Sequence, residues 1–205
     1  MRQFFHDDGK AALSKAVTAF EAVTSVELVI AVRPRSGDYP GPGILVGCVC
    51  ALVTTAFLLY GEPEFDLHWF LVLPAFIGLT TGYAANLPTL QWLFTRSATR
   101  EARVLQAARA TFVEKGVADT RGRTGVLLYV SLVERVALVI ADVGVREAVP
   151  ASAWDPAVAA ITGAVARGTK AIELVAPLAA LAKLAGKHLP RAADDVNELP
   201  DEVHA

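Results

Sequence analysis

The sequence predicts an α/β fold in which a small central sheet is sandwiched by helices, with a two-helix transmembrane hairpin inserted into the domain. Two apolar runs, residues 43–61 and 67–87, contain no Lys, Arg, Asp or Glu. Each is long enough to cross a hydrocarbon core of about 30 Å as a helix. Outside them, three short β-branched segments predict strands, and helical apolar patterns surround these segments. A sheet covered by helices buries all of these apolar faces.

The N-terminal piece, residues 1–42, predicts one helix and one strand. Apolar residues recur at helical spacing over residues 8–24, and Asp7 or Asp8 is available as the N-cap. The segment VELVIAV at 26–32 is short and β-branched, which is typical of a strand. An isolated strand is not stable, so this one is expected to pair with strands beyond residue 87. Residues 43–87 are therefore predicted to be an insertion into a single domain.

Charges around the two apolar runs predict their orientation. The loop at 62–66 contains acidic residues and no Lys or Arg, whereas arginines flank the runs on their other sides: Arg33, Arg35, Arg96, Arg100 and Arg103. Positively charged flanks stay on the cytoplasmic side of a membrane. The sequence therefore predicts a multi-pass protein of the cell membrane with both termini in the cytoplasm and the lipid bilayer as one partner.

Small residues in the second run indicate close helix packing. Gly78 and Gly82 form a small-xxx-small pair. The contact is either within the hairpin or between copies of the chain, so a homo-oligomer is one of the two alternatives.

The C-terminal piece, residues 88–205, predicts the remainder of the domain and an acidic tail. Residues 97–116 form an amphipathic pattern with Ala102, Leu105, Ala108 and Phe112 on one face. Segments 124–131 and 136–142 predict a β-hairpin, and their nearly continuous apolar runs predict burial on both faces.

Two further helices are predicted near the end of the chain. Ser152 and Asp155 have the spacing of a capping box that opens a helix to about Arg167, and Gly168 ends it. A last helix covers about residues 170–188 and is expected to kink near Pro177.

Composition excludes some classes of function. The net charge of −2 gives no basic footprint for nucleic acid. The two cysteines, Cys48 and Cys50, lie inside the first apolar run at a spacing that does not favour a disulfide or metal site. His188 and His204 lack partners at zinc-ligand spacing. The acidic tail lacks the pattern of an EF-hand and is predicted to be solvated: Asp194, Asp195, Glu198, Asp201 and Glu202.

Several short sequence motifs, in their order along the chain, resemble those of the TPM domain family, in its bacterial membrane-protein branch. They cover nearly the whole soluble sequence: Phe4-Phe5, Glu21, Thr24-Ser25, Glu27, Arg35-Ser36-Gly37-Asp38-Tyr39, Ala107-Ala108-Arg109, Phe112, Arg123-Thr124-Gly125-Val126-Leu127, Val130-Ser131-Leu132, Glu134-Arg135, Ala141-Asp142, Trp154 and Asn197-Glu198-Leu199-Pro200-Asp201. The resemblance implies an α/β sandwich. It also implies, by resemblance alone, an acid phosphatase activity and binding of Ca²⁺ or Mg²⁺.

No cofactor signature is seen in the sequence. The residues themselves offer five candidates for catalysis: Asp142, Glu27, Ser36, Asp38 and Arg123. Asp142 ends a buried strand, where sites in α/β sheets often open, although a strand-end cap is the simpler role. Glu27 lies near the start of the first strand, and its simpler role is an edge charge or a partner of Arg135. Glu134 and Arg135 are most simply turn residues.

Two functions of different classes follow, and the sequence leaves open whether the protein is an enzyme. The first is a membrane-anchored binding or scaffolding module that recruits an unidentified protein at the cytoplasmic face. The alternative is a metal-assisted phosphatase, which needs preorganised positive charge and a positioned base. A phosphatase requires Asp142 and at least two more of the five candidates to converge in one cleft.

Overall fold

The computed structural model describes residues 7–61, 65–87, 95–168, 170–192 and 197–199, and the chain divides into two compact units. We call residues 1–36 together with 101–205 the sheet unit, and residues 37–100 the hairpin unit. The first unit is thus assembled from two separate parts of the sequence.

The sheet unit is built on three strands in the order β1-β2-β3. The strands are β1 (Glu27–Arg33), β2 (Gly125–Ser131) and β3 (Val136–Ala141). β1 is parallel to β2, and β2 and β3 form an antiparallel hairpin. The prediction that the N-terminal strand pairs with the strands beyond residue 87 is confirmed.

The described residues form seven α-helices. They are α1 (Asp7–Glu21), α2 (Pro40–Tyr60), α3 (Trp69–Ala85), α4 (Ser97–Glu114), α5 (Val143–Ala148), α6 (Ala151–Ala166) and α7 (Val175–His188). Short 3₁₀ turns at Val117–Asp119 and Ala171–Leu174 precede β2 and α7.

Alternate residues of β1 and β2 pack into two apolar clusters, one on each face of the sheet, because successive strand side chains point to opposite faces. Leu28 and Ile30 pack with residues of α1, α6 and α7. Val29 and Ala31 pack with residues of α4 and with Val117. The prediction of a small sheet covered by helices on both faces is confirmed. The predicted burial of both faces holds for β2 but is wrong for β3, most of whose residues are only partly buried.

The predicted face of α4 is partly wrong. Val104, Ala108 and Thr111 are buried, whereas Ala102 is exposed and Leu105 is 37% exposed. Two apolar stripes overlap on this helix, and the sheet covers the one that begins at Val104.

The beginnings of the last two helices also differ from prediction. The capping box is wrong, because α6 begins at Ala151 directly after Pro150 and Ser152 already lies inside the helix. The kink at Pro177 is wrong too, because Pro177 lies in the first turn of α7, where a missing N–H is harmless. Gly168 adopts φ +78° just after α6, which confirms its role in ending that helix.

The hairpin unit contains two apolar helices that pack against each other. Among the described helices, only the stretch Gly41–Tyr60 is both long and apolar enough to cross a membrane. α3 has 17 residues, which is shorter than the predicted run at 67–87. Residues 62–64, where two of the loop's acidic residues were noted, lie outside the described residues.

Candidate functional site

Asp142 and Arg123 form a bidentate ion pair at one end of the sheet. The Arg123 Nε donates to Asp142 Oδ2 at 2.6 Å, and its Nη2 donates to Oδ1 at 3.0 Å. Asp142 is nearly fully buried, whereas 56% of the Arg123 side chain is exposed. The antiparallel hairpin explains this pairing, because residues just before β2 and just after β3 emerge at the same end.

Local backbone geometry fixes this pair. Asp142 is the N-cap of α5, and its Oδ1 also accepts a hydrogen bond from the Val143 N–H at 2.7 Å. Arg123 adopts φ +53°, and its carbonyl accepts from the Gly144 N–H at 2.9 Å. A Cβ on Gly144 would collide with the backbone of Gly122 and Arg123, so only glycine permits this approach. The strand-end cap, the simpler role for Asp142, is confirmed.

The ion pair changes the acidity of both groups. Hydrogen bonds from Arg123 hold the pKa of Asp142 below its usual range, although burial of the carboxyl opposes this shift. The same hydrogen bonds raise the pKa of Arg123. Asp142 therefore remains a carboxylate whose acceptor sites are used within the fold, which does not suit a general base.

Glu27 lies in the same row of the sheet but is separated from Asp142. Glu27 is opposite Gly125 in β2, and Gly125 accepts a hydrogen bond from the Asp142 N–H at 2.9 Å. Two strand spacings separate the backbones of Glu27 and Asp142 by about 10 Å. Val117 fills the space above Gly125, because its carbonyl would collide with any Cβ built there. The two carboxylates therefore do not open into one cleft.

Glu27 also lies far from its expected partner. Its register with Gly125 places it at the opposite end of the strands from the β2–β3 turn that contains Arg135. The six residue steps along β1 span about 20 Å. The interpretation of Glu27 as a partner of Arg135 is wrong.

Ser36 belongs to a second polar cluster, at the other end of the sheet. Its Oγ donates to Ser131 Oγ at 2.7 Å, and Ser131 Oγ donates to Glu134 Oε2 at 2.5 Å. The Ser36 Oγ is also 3.0 Å from the Tyr129 hydroxyl. Because the single Ser36 hydroxyl proton goes to Ser131, Tyr129 is the donor in that contact. The Glu134 Oε1 accepts from the Ser36 N–H at 3.0 Å.

This second cluster ties the end of β1 to the β2–β3 turn. Glu134 is only 3% exposed, so its interpretation as a simple turn residue is incomplete. Sequence reasoning missed Tyr129, Ser131 and Glu134 as a unit, because they meet Ser36 across 93 to 98 residues of sequence.

The five predicted catalytic residues therefore do not meet at one place. Asp142 and Arg123 form a pair, Glu27 lies beyond Val117, and Ser36 lies at the opposite end of the sheet. Asp38 is exposed and belongs to the hairpin unit. Within the described ranges, no group of three or more His, Cys, Asp or Glu is arranged to hold a metal ion.

Part of the C-terminal tail contacts the sheet unit. Leu199 packs against the apolar cluster on the α4 face of the sheet, and the Arg121 N–H donates to Glu198 Oε2 at 2.9 Å. The prediction of a solvated tail is therefore wrong for Leu199, whereas Asn197 and Glu198 are exposed. The other tail residues considered as ligands lie outside the described part of the chain: Asp194, Asp195, Asp201, Glu202 and His204.

In the hairpin unit, glycines bring the backbones of α2 and α3 together. A Cβ on Gly47 would lie 2.6 Å from the Gly78 carbonyl, and one on Gly82 would lie 3.0 Å from the Gly43 carbonyl. The contact predicted for Gly78 and Gly82 is thus seen within the hairpin.

Large apolar side chains lie on the outside of the same helices. They are exposed by 50% or more at Ile44, Leu45, Val49, Leu52, Val53, Phe57, Leu59, Leu71, Val72, Phe76 and Leu79. The small residues are inside and the large apolar residues outside, the reverse of a helix pair folded in water.

Comparisons with known proteins show the fold only. No family model matches the chain, and no curated protein matches it. A solved structure is similar: the NMR structure of the BA42 protein from the psychrophilic bacterium Bizionia argentinensis. The similarity covers 97% of this chain and 93% of that protein, with a TM-score of 0.59 and 17% sequence identity.

Proposed function

We propose that this protein is a membrane-anchored domain of the TPM type that binds or scaffolds a protein partner at the cytoplasmic face of the bacterial inner membrane. The observation that carries the anchoring is the exposed apolar exterior of α2 and α3 around a glycine contact.

The amount of exposed apolar surface supports the bilayer as the environment of the hairpin unit. Only 17% of the most apolar window of α2 is buried. Soluble monomers rarely expose a contiguous apolar patch larger than a few hundred Å². Helices that associate in lipid use small residues for close contact, as Gly47 and Gly78 do here.

The length of α3 is compatible with a second span in this proposal. Its 17 residues correspond to about 26 Å of helix, and the bilayer adapts to a small mismatch at modest cost. Arginines at 33, 35, 96, 100 and 103 and the acidic loop at 62–66 favour a cytoplasmic location for the sheet unit.

A binding role for the sheet unit is favoured over phosphatase chemistry. Phosphoryl transfer needs cations or donors directed at the developing charge. Arg123, the cation among the five candidates, is instead paired with Asp142, and Ser36 is engaged in a separate network. The proposed TPM type is supported by the short sequence motifs named earlier and by the α/β architecture.

Extraction of membranes tests the anchoring. Full-length protein is expected to stay in the membrane pellet after alkaline carbonate treatment. Leu52→Arg places a charge at a 70% exposed position near the middle of α2, which costs about 2.5–3.5 kcal/mol if that surface faces lipid. It should move a large fraction of the chain out of the pellet.

Val113→Arg is the matched control, since Val113 is 74% exposed on α4. It should leave the distribution unchanged. Release of the wild-type protein by carbonate, or equal behaviour of the two arginine variants, would overturn the proposed anchoring.

A further inference from the structure

The described tail segment, residues 197–199, makes three kinds of contact with the sheet unit. The Glu198 N–H donates to Glu27 Oε1 at 3.4 Å. The Glu198 carboxylate accepts from the Arg121 N–H at 2.9 Å and lies 3.8 Å from the Arg121 Nε. Leu199 packs against the apolar cluster that includes Val29 and Val117. We call the surface formed by Glu27, Arg121 and this cluster the tail slot.

The tail slot presents four groups to the tail segment. A carboxylate accepts a main-chain N–H, a backbone N–H and a guanidinium attract an acidic side chain, and an apolar surface receives the next side chain. The guanidinium lies largely in solvent, since the Arg121 side chain is 91% exposed. Charged contacts of this kind steer and select a partner, whereas the apolar residue supplies affinity.

Two of the three described tail residues lie at the surface, which favours exchange. Glu198 and Asn197 are exposed, and the ion pair at 3.8 Å is long and solvent-accessible. Segments with few buried contacts open at small free-energy cost. The same segment nevertheless covers Glu27, which is 5% exposed, and part of the apolar cluster.

We propose that the tail slot binds an extended peptide of a partner protein in which an acidic residue is followed by leucine, and that the protein's own tail is a competing ligand. This inference rests on the proposed binding function and names the partner's chemistry. A ligand tethered close to its site has an effective concentration in the millimolar range. The attached tail therefore weakens binding of a free peptide. A partner displaces the tail only when its concentration or affinity is high enough.

Peptide binding to the full-length protein in detergent micelles tests this inference. The probe is a fluorescein-labelled peptide of residues 194–203, DDVNELPDEV, measured by anisotropy. The variant Glu198→Lys with Leu199→Asp detaches the tail and should bind the peptide at least about tenfold more tightly than the wild type. Adding Arg121→Glu to this variant should remove the gain.

A control peptide with Lys in place of Glu198 and Asp in place of Leu199 should bind neither the wild type nor the tail variant. Equal binding of the probe to wild type and tail variant, or binding to neither, would overturn the inference. A wild-type dimer that dissociates in the Leu199→Asp variant would assign the slot to the tail of a second copy and overturn it as well. Because micelles replace the bilayer, these outcomes are independent of the carbonate result.

Discussion

Replacing Gly47 by alanine is expected to separate α2 from α3. The added Cβ would lie 2.6 Å from the Gly78 carbonyl and 3.3 Å from the Gly82 Cα. Ordinary contact begins at 3.4 Å, so the first of these distances is 0.8 Å too short. Both neighbours are backbone atoms of the facing helix, so no flexible side chain can yield.

The size of the effect follows from this geometry. A gap of 0.5–1 Å forfeits about a quarter to a half of each dispersion contact along the interface. Overpacking of this kind costs about 1–3 kcal/mol. Gly41→Ala is the matched control, because a Cβ on Gly41 meets nothing within 4 Å in the same helix. Both substitutions gain at most about 1 kcal/mol of helix propensity, so the difference between them reports the contact.

Unfolding by sodium dodecyl sulfate in mild-detergent micelles measures this difference. Trp69 at the start of α3 serves as the fluorescence probe, with Trp92 and Trp154 replaced by Phe. Gly47→Ala should unfold at a lower fraction of dodecyl sulfate than Gly41→Ala, by the equivalent of about 1–3 kcal/mol. Coincident unfolding curves would refute the close helix contact.

Two further predictions concern the polar clusters of the sheet unit. The lowered pKa of Asp142 means that its contribution to stability is present above the ordinary value of about 3.9 and is lost as pH falls through the folded value. Asp142→Asn should therefore lower the free energy of unfolding by about 1 kcal/mol at neutral pH and by less below about pH 4. A difference in thermal melting between variant and wild type that does not change with pH would contradict this. Glu134→Ala leaves buried donors of Ser131 and Ser36 unpaired and should cost about 2–3 kcal/mol. The exposed control Glu147→Ala should cost almost nothing, and equal denaturant midpoints for the two would contradict the role of Glu134.

Much of the fold follows from local sequence. The strand at 26–32 required partners, and the β-hairpin at 124–142 supplied the neighbour with which it pairs. α5 was missed because its six residues, Val143–Ala148, are too few to show helical periodicity. On α4, two apolar stripes lie side by side, and only the position of the sheet decides which is buried.

The candidate site was less accessible to sequence reasoning. Pairing of Arg123 with Asp142 could be foreseen from the hairpin register, which brings residues before β2 beside those after β3. The separation of Glu27 from Asp142 depends on Val117 lying over Gly125, which no sequence spacing reveals. The network from Tyr129 to Glu134 depends in the same way on long-range folding.

Cysteine labelling in intact cells tests most directly whether the hairpin spans the membrane with the sheet unit inside. Cys48 and Cys50 are replaced by alanine, and single cysteines are placed at Glu64 in the acidic loop and at Lys183, an exposed position on α7. An impermeant maleimide is expected to label Glu64→Cys in intact cells and to label Lys183→Cys only after permeabilisation. Labelling of Lys183→Cys in intact cells, with Glu64→Cys protected, would contradict it.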